Sequence, residues 1–249
     1  GDESIIAAVT GSQDFHSLNA SRFFGVAYSE IFDDIKRKTL NKQLRDLSKR
    51  TNHGANYNMG AHILIATMGI KNVYIAAGLL KLNKFWTPVQ ICEYLLECFH
   101  KTYPSLKKEY YPWVIQQVLL HKKLTGATGW TRYCFGRPDK NKMDLNALVA
   151  HPPQSLNAMV LNKAYRRVFY DIAIHPEHSV NFKLGPQIHD SILFQFRNGH
   201  RYLADMVKER MEIPVTVVGV DKKERTFTVP AALKLGKDNA GSKYWSETE

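Results

Sequence analysis

The chain has 249 residues, of which 44% are hydrophobic and 23% charged, enough for a sizeable core in one or two compact domains. No apolar run approaches the roughly 18 residues that span a bilayer, and no basic lead followed by an apolar stretch marks a signal peptide at the N-terminus. The formal net charge of +11 suits a polyanionic partner, although an ordinary basic surface has the same charge excess. The three cysteines form no CxxC pair, so neither a zinc site nor a disulfide framework is predicted, and a reducing, intracellular setting fits best.

The first half of the sequence is predicted to be mostly helical. Apolar residues recur at helical spacing in four stretches: residues 14–27, 41–70, 88–100 and 110–124. The first should end near Gly25, and the fourth has Pro112 close to its start, where proline is tolerated in a helix. We assign residues 1–125 to one helical subdomain.

The second half changes to glycine-punctuated, β-prone sequence. Five elements are predicted: a hairpin over 126–138, a helix over 154–174 introduced by Pro152-Pro153, a hairpin over 181–197, a short helix over 201–211 and a hairpin over 215–229. The turn of the second hairpin holds His189 and Asp190, and the tail from residue 234 is predicted to be irregular. We therefore expect an α+β fold with antiparallel strands, whose second subdomain spans residues 126–249.

One predicted helix face carries a stripe of functional groups. Arg45, Lys49, His53 and Tyr57 follow one another at every fourth residue, so all four lie along one side of the helix. Such a stripe is either a solvated basic face or a clamp for a triphosphate, because guanidinium and ammonium groups neutralise phosphate charge. A lysine beside a leaving pyrophosphate could also donate a proton to it.

The stripe resembles motif B of the family A, polymerase I-like DNA polymerases, Arg-x3-Lys-x3-Phe/Tyr-x3-Tyr-Gly, on the mobile fingers helix. The resemblance implies that Arg45 and Lys49 bind the incoming triphosphate and that Tyr57 stacks at the insertion site beside the templating base. His53 stands where an aromatic residue packs on the nucleotide sugar. Asn58 stands where the motif has glycine, and asparagine tolerates the left-handed backbone better than most residues. The phrase Asn-His-Gly-x-Asn-Tyr looks more like bacteriophage enzymes than bacterial repair enzymes.

The hairpin around Asp190 carries a second resemblance. A carboxylate at a hairpin tip is either an ordinary turn residue or a metal ligand. Residues 187–191, Gln-Ile-His-Asp-Ser, resemble motif C of the same family, which usually contains His-Asp-Glu. The resemblance implies that Asp190 is one of two aspartates that bind two Mg²⁺ ions for nucleotidyl transfer, with His189 near the primer end. Ser191 replaces the usual glutamate.

Weaker matches follow in the family's order along the chain. Asp14-Phe-His16 resembles a segment between motifs A and B whose histidine helps to bind the triphosphate. The Gly-Arg pair ending at Arg137 resembles a segment beside the template–primer duplex. Pro-Pro-Gln, ending at Gln154, resembles one whose glutamine contacts the minor groove of the nascent base pair, and Asn146 replaces an arginine that is usual just upstream. Together these matches extend the resemblance over essentially the whole chain.

Motif A, which carries the other metal-binding aspartate, has no counterpart in the residues before Asp14, GDESIIAAVTGSQ. We therefore expect the chain to be the C-terminal part of a polymerase, with fingers over residues 1–125 and the later half of the palm over 126–249. An N-terminal half or a separate subunit would supply motif A, the thumb and, where present, a 3′–5′ exonuclease. A natural split polymerase and a fragment of a longer one both fit.

Two other functions stay open. Single-subunit RNA polymerases share part of motif B and often have His-Asp-Ser at motif C, although residues 14–16 and 52–54 favour a DNA polymerase. A non-catalytic DNA-binding subunit is the second alternative, against which the intact motif B and C residues count. The expected partners are primer–template DNA and dNTP, with no membrane. The expected location is the cytoplasm, that of the host for a bacteriophage protein, and a mitochondrial location stays open.

Overall fold

The structure is a computed structural model that describes residues 3–11, 13–219 and 222–234. Its contacts divide the chain into two compact units. The first is formed by Gly1–Thr125 with Thr131–Pro152, and the second by Gly126–Trp130 with Pro153–Glu249. The predicted irregular tail lies, from residue 235 onward, outside the described residues.

The first unit is mainly helical. Its elements before α9 are α1 (Glu3–Thr10), α2 (Phe15–Phe24), α3 (Tyr28–Ile31), β1 (Phe32–Asp33), β2 (Lys38–Thr39), α4 (Lys42–Asn56), α5 (Ala61–Met68), α6 (Ile70–Leu79), α7 (Pro88–Thr102), a π-helical turn (Leu106–Tyr110), α8 (Tyr111–His121), β3 (Lys123–Thr125) and β4 (Thr131–Tyr133). The predicted first helix is confirmed as α2, which Asp14 caps and Gly25 ends with a φ of 66°. The helices predicted over 88–100 and 110–124 are α7 and α8, and α8 ends early because Lys122 adopts the left-handed conformation.

A single apolar cluster holds α2, α4, α5, α6 and α7 together. Its buried members include Phe23, Leu44, Leu47, Leu64, Val73, Ile91, Leu95 and Phe99. Burying one such side chain contributes about 1.5–3 kcal/mol. The cluster therefore fixes the buried side of α4 and leaves its polar side, which carries the basic stripe, facing outward.

The helical stretch predicted over 41–70 is two helices separated by a turn. Asn41 caps the start of α4 by accepting the Leu44 N–H at 3.1 Å. At the other end, the Tyr111 hydroxyl donates to the Ala55 carbonyl at 2.6 Å. Asn58 then has a φ of 56°, in the left-handed region, so α4 cannot continue and a new helix, α5, begins at Ala61.

The helix α9 (Lys142–Val168) begins well before its predicted start. The prediction that Pro152-Pro153 introduces this helix is wrong, because both prolines lie inside it. Pro153 has no N–H to donate to the carbonyl four residues earlier, that of Val149. The Tyr110 hydroxyl donates to that carbonyl instead, at 2.9 Å, so a tertiary contact replaces the lost helical hydrogen bond. A π-helical turn, Phe169–Ala173, ends the helix.

β4 and the first turns of α9 belong to the first unit. β4 pairs antiparallel with β3, and Leu148 and Val149 are buried with Val114 and Val118 of α8. The structure therefore places Thr131–Pro152 in the first unit, whereas a boundary near residue 125 would place them in the second. The assignment of the units to fingers and palm stays a prediction.

The second unit contains the later part of α9, then β5 (Phe182–Ile188), β6 (Ser191–Phe196), α10 (Tyr202–Met211), β7 (Pro214–Val218) and β8 (Glu224–Thr228). The hairpins predicted over 181–197 and 215–229 are confirmed as β5–β6 and β7–β8, and the short helix as α10. Phe182 and Leu203 pack against Val168 and Ile172, which anchors the β5–β6 hairpin on the end of α9.

Helices combined with small antiparallel sheets confirm the coarse α+β prediction. Each of the four sheets in the described residues has two strands, and each pairs consecutive strands of the chain. In the same residues no single helix has the length and apolar character to cross a bilayer, and α5 with α6 meets that test only as a pair bent by 101°.

Candidate functional site

The N-terminus of α2 and the outer face of α4 meet at an ion pair. Arg45 donates from Nε and Nη2 to the two carboxylate oxygens of Asp14, at 3.0 and 2.9 Å. Asp14 also accepts the Ser17 N–H at 2.9 Å, as the cap of α2. Burial opposes ionisation of Asp14, but the hydrogen bonds from Arg45 and Ser17 lower its pKa to about 2. With 25% of the Arg45 side chain and 17% of Asp14 exposed, this charge-assisted pair fixes the direction of the guanidinium.

Asp14 orients Arg45 without exhausting its donors. A guanidinium has five N–H groups, and the contacts with Asp14 come from Nε and Nη2. The hydrogen bond to Asp14 also raises the pKa of Arg45, so the group stays charged. Its other N–H groups remain able to bind a second anion, and phosphate oxygens match their planar arrangement.

Two imidazoles lie beside the ion pair. The rings of His16 on α2 and His53 on α4 have centroids 5.6 Å apart. His16 Nδ1 lies 3.1 Å from Nδ2 of Asn52, a residue only 1% exposed, so the buried amide holds the ring in place. Burial, reinforced by the charge of Arg45, lowers the pKa of His16 to about 4, and burial together with Lys49 lowers the pKa of His53. His16 is therefore neutral at pH 7.

Lys49 completes the cationic face, defined here as His16, Arg45, Lys49 and His53. It lies one turn from Arg45 and one turn from His53 along α4, and its side chain is exposed. Among the described residues it has no hydrogen-bond or ion-pair partner, yet its charge acts on the pKa of both histidines. The face thus combines two permanent charges with two polarisable rings, a composition suited to an extended polyphosphate.

Tyr57 ends α4 as its C-cap, and the chain then turns at Asn58. Nδ2 of Asn58 lies 3.0 Å from the side-chain amide of Asn146. Both asparagines depart from the pattern of the resembled family, and they contact one another. The Asn146 amide therefore lies against the turn at which the motif has glycine.

The β5–β6 hairpin presents Asp190 at its tip. Ile188 pairs with Ser191, which leaves His189 and Asp190 as the turn residues. His189 has a φ of 51°, and the Ser191 hydroxyl donates to the Ile188 carbonyl at 2.8 Å, which closes the turn. The Asp190 carboxylate is exposed and, within the described residues, has neither a hydrogen-bond nor an ion-pair partner. It is free to bind a cation.

A bulge sets the direction of this hairpin. The register of β5 against β6 shifts around Gly185 and Pro186. A Cβ on Gly185 would come within 2.9 Å of the Leu193 carbonyl oxygen, so the strands approach here as only glycine allows. The Tyr165 hydroxyl on α9 donates to the Gly185 carbonyl at 3.1 Å. The bulge is therefore anchored to the helix that supports the hairpin.

The remaining predicted site residues are exposed. Arg137, in the first unit, donates to both carboxylate oxygens of Asp139 at 2.9 and 2.7 Å. Gln154 lies on the part of α9 that belongs to the second unit. The structure brings together His16, Arg45, Lys49 and His53 in the first unit, and His189 with Asp190 in the second. The DNA-binding roles of Arg137, Gln154 and His189 stay predictions.

The sequence reasoning missed two residues that shape the cationic face. Asp14 was noted only as part of a weak match, and its partner Arg45 is 31 positions away. Asn52 lies within residues 52–54, which favour a DNA polymerase, but its contact with His16 spans 36 positions and has no local signal. Aspartate is a preferred N-cap residue, so the cap has a local signal, but no local pattern predicts the contact of Asp14 with Arg45.

Comparisons with known proteins bear on the fold. No family model matches the chain, and no curated protein matches it. Among solved structures, it is similar to the polymerase domain of Pol1 from M. smegmatis, determined in complex with DNA primer-template and dNTP, with a TM-score of 0.60 and 19% identity. The similarity covers 92% of this chain and 36% of that one. The chain therefore has the fold of part of a DNA polymerase domain.

Proposed function

We propose that the chain is the fingers and later palm of a family A DNA polymerase of bacteriophage type, which extends a primer from dNTP. The observation that carries the proposal is the convergence of His16, Arg45, Lys49 and His53 on one face of α2 and α4. These are the residues that the resemblance assigns to the incoming nucleotide, and they come from two separate segments of the chain. The fold similarity to a DNA polymerase domain supports the same conclusion.

Each group on the cationic face has a distinct task toward a triphosphate. Arg45, oriented by Asp14, binds phosphate oxygens through its remaining N–H groups. Lys49 adds a second full charge and is the proton donor for the leaving pyrophosphate. His16 is neutral, so it offers one directed ring hydrogen bond and no charge. His53 occupies the position beside the nucleotide sugar, and Tyr57 the position beside the templating base.

Asp190 fits the role of a Mg²⁺ ligand, since its carboxylate is exposed and Mg²⁺ prefers oxygen ligands. When bound, two Mg²⁺ ions would activate the primer 3′ hydroxyl and stabilise the leaving oxygen. One carboxylate is too few to hold two such ions. We assign the second aspartate to residues outside these 249, in the same polypeptide or in a partner chain that also supplies the thumb.

Nucleotide affinity tests the cationic face. Lys49→Ala removes a charge that has no partner among the described residues, so binding of Mg-dATP should weaken at least about tenfold while the free energy of unfolding stays unchanged. Titration of the chain with fluorescent dATP in the presence of primer–template measures the affinity. Lys71→Ala, an exposed lysine on α6, is the matched control. Equal dATP affinity in the Lys49→Ala variant and the wild type would contradict the proposal.

The need for a second aspartate is tested separately by primer extension. The purified chain should extend a primed template far more slowly than the same chain combined with a segment containing motif A. If the chain alone reaches the rate of the combination, the second aspartate is not needed from elsewhere. The reading frame immediately upstream is an independent check, since a frame that ends in motif A would identify the missing part.

Ser191 favours a second candidate, a single-subunit RNA polymerase, in which His-Asp-Ser is frequent at motif C. In this structure the Ser191 hydroxyl closes the turn by donating to the Ile188 carbonyl, a task that does not depend on the sugar of the substrate. Comparing dNTP and rNTP incorporation by the assembled enzyme discriminates the two. A preference for rNTP would replace DNA polymerase by RNA polymerase as the conclusion.

A further inference from the structure

The segment between α9 and β5 brings two histidines and a glutamate together. One ring nitrogen each from His175 and His178, and a carboxylate oxygen of Glu177, all lie within 4.8 Å of one another. The backbone explains this, because the N–H groups of His178 and Ser179 both donate to the His175 carbonyl, at 3.0 and 2.9 Å. That tight turn places both imidazoles on the same side, with ring centroids 5.1 Å apart.

The hydrogen bonding leaves ring nitrogens available for a ligand. His178 Nδ1 is shielded from solvent and has no hydrogen-bond partner among the described residues, which is costly for a buried polar atom. His175 Nδ1 accepts the Glu177 N–H at 3.4 Å, which leaves its Nε2 free for coordination. An ion bound through His178 Nδ1 would satisfy that nitrogen, and the Glu177 carboxylate would offset part of its charge.

The donor set selects the class of ion. Imidazole suits zinc, copper and nickel, whereas magnesium prefers all-oxygen sites. Zinc binds histidine nitrogen at about 2.0–2.1 Å, so tetrahedral ligand atoms are separated by about 3.4 Å. The ligand atoms here lie within 4.8 Å of one another, and rotation of the side chains would have to bring them to that separation. We propose that His175, Glu177 and His178 bind one Zn²⁺ ion, with water in the fourth position.

The proposed zinc site is separate from the Asp190 carboxylate. The segment lies at the base of the β5–β6 hairpin, where the Asn181 N–H donates to the His178 carbonyl and the Arg197 N–H to the Asn181 carbonyl. Asp190 lies at the other end of the hairpin, and β5, with seven residues, is about 20 Å long at the usual rise. Zinc here would stiffen the segment on which the hairpin stands. The inference does not depend on the proposed polymerase function.

Zinc titration of the untagged chain tests the site. After chelator treatment and dialysis, isothermal titration with ZnCl₂ should show one site, and the melting temperature should rise with added zinc. His178→Ala and His175→Ala should each weaken this binding at least about tenfold, since each removes one of three protein ligands. Glu177→Gln should weaken it without affecting the fold, because this side chain is exposed.

Two controls make the outcome decisive. His62→Ala removes an exposed histidine on α5 and should leave zinc affinity unchanged. Asp190→Asn should also leave it unchanged, which separates this site from the proposed catalytic metals. Absence of zinc binding by the wild type at about 100 µM, or binding that Glu177→Gln and both histidine variants leave intact, would overturn the proposal.

Discussion

The cationic face of the first unit and the Asp190 hairpin of the second differ in how far the protein itself prepares them for a ligand. Arg45 is fixed by Asp14, and His16 by the buried amide of Asn52. Asp190 is exposed at a turn and has no partner among the described residues. The difference concerns preorganisation: the groups proposed to bind the nucleotide are oriented by contacts within the first unit, whereas the proposed metal ligand has no such support among the described residues.

The largest expected effect is the loss of nucleotidyl transfer when Asp190 is replaced. Asp190→Asn should lower nucleotidyl transfer by the assembled enzyme at least about 10³-fold, because a neutral amide binds Mg²⁺ poorly. The free energy of unfolding should change by less than about 0.5 kcal/mol, since the side chain is exposed. Single-turnover primer extension and urea unfolding measure the two quantities.

Asp205→Asn, an exposed aspartate on α10, is the matched control for Asp190 and should keep full activity. Full activity in Asp190→Asn would favour the non-catalytic DNA-binding subunit over the polymerase. Asp190 would then be an ordinary turn residue, and the comparison of its hairpin with the cationic face would no longer concern two ligand sites.

A conservative change at Arg45 should have the next largest effect. Arg45→Lys keeps the charge but cannot make the two-point contact with Asp14, so it should weaken dNTP binding by about 10- to 100-fold and lower the free energy of unfolding by about 1–2 kcal/mol. Lys49→Arg changes a side chain without such a contact and should have a much smaller effect on both. dNTP titration and urea unfolding check this, and equal losses in the two variants would show that Arg45 is not preorganised.

The pH dependence of stability reports the preparation of His16. In the unfolded chain the imidazole protonates near pH 6.5, but in the folded chain burial and the charge of Arg45 lower its pKa to about 4. The unfolded state therefore binds more protons between these values, so the free energy of unfolding falls as the pH drops from 6.5 to 4. The contribution of the partly solvated ring should be about 1–2 kcal/mol.

Two variants separate this titration from that of Asp14. His16→Gln should remove the part of the loss that falls between pH 6.5 and 4, as measured by urea unfolding at a series of pH values. Asp14, whose pKa is lowered to about 2 by its hydrogen bonds against the effect of burial, stabilises the fold above pH 4 and loses that contribution as the pH falls toward 2. Asp14→Asn should remove the loss of stability between pH 4 and 2. Because the Asp14 charge raises the pKa of His16, this variant should also move the His16 part of the loss to lower pH. If His16→Gln still lost stability between pH 6.5 and 4 as the wild type does, the loss could not be assigned to His16.

The smallest expected effect is at Asn58. Asn58→Ala places an ordinary residue at a φ of 56° and removes the contact with Asn146, so it should lower the free energy of unfolding by about 1–2 kcal/mol. Asn58→Gly loses the contact but not the backbone freedom and should cost less. A double-mutant cycle with Asn146→Ala should give a coupling of about 0.5–1 kcal/mol, and zero coupling would show that the amide pair does not hold the turn.

Local signals made much of the fold predictable. Asp14 and Gly25 mark the two ends of α2, and the run of apolar residues on either side of His189 and Asp190 predicts the hairpin. The start of α9 was predicted wrongly, at residue 154 instead of Lys142. Pro152 and Pro153 indicate a helix start by local rules, and the hydrogen bond that replaces the one lost at Pro153 comes from Tyr110, which is remote in sequence.

In the candidate site, too, local spacing predicts some features and tertiary packing determines the others. Arg45, Lys49 and His53 could be placed on one face because helical spacing is local information. The meeting of that face with Asp14 and His16 depends on how α2 packs against α4, which spacing alone does not determine. The site was therefore predictable as a set of residues, and its hydrogen bonds and pKa shifts were not.

The hydrogen bond from Tyr110 to the Val149 carbonyl makes two distant sequence positions depend on one another. While Pro153 is present, Tyr110→Phe leaves a helix carbonyl without a donor, at a cost of about 1–3 kcal/mol. With an N–H-bearing residue at position 153, the same change would cost far less. The two substitutions are therefore epistatic, and an evolutionary path that acquires the tyrosine before the proline avoids an unstable intermediate.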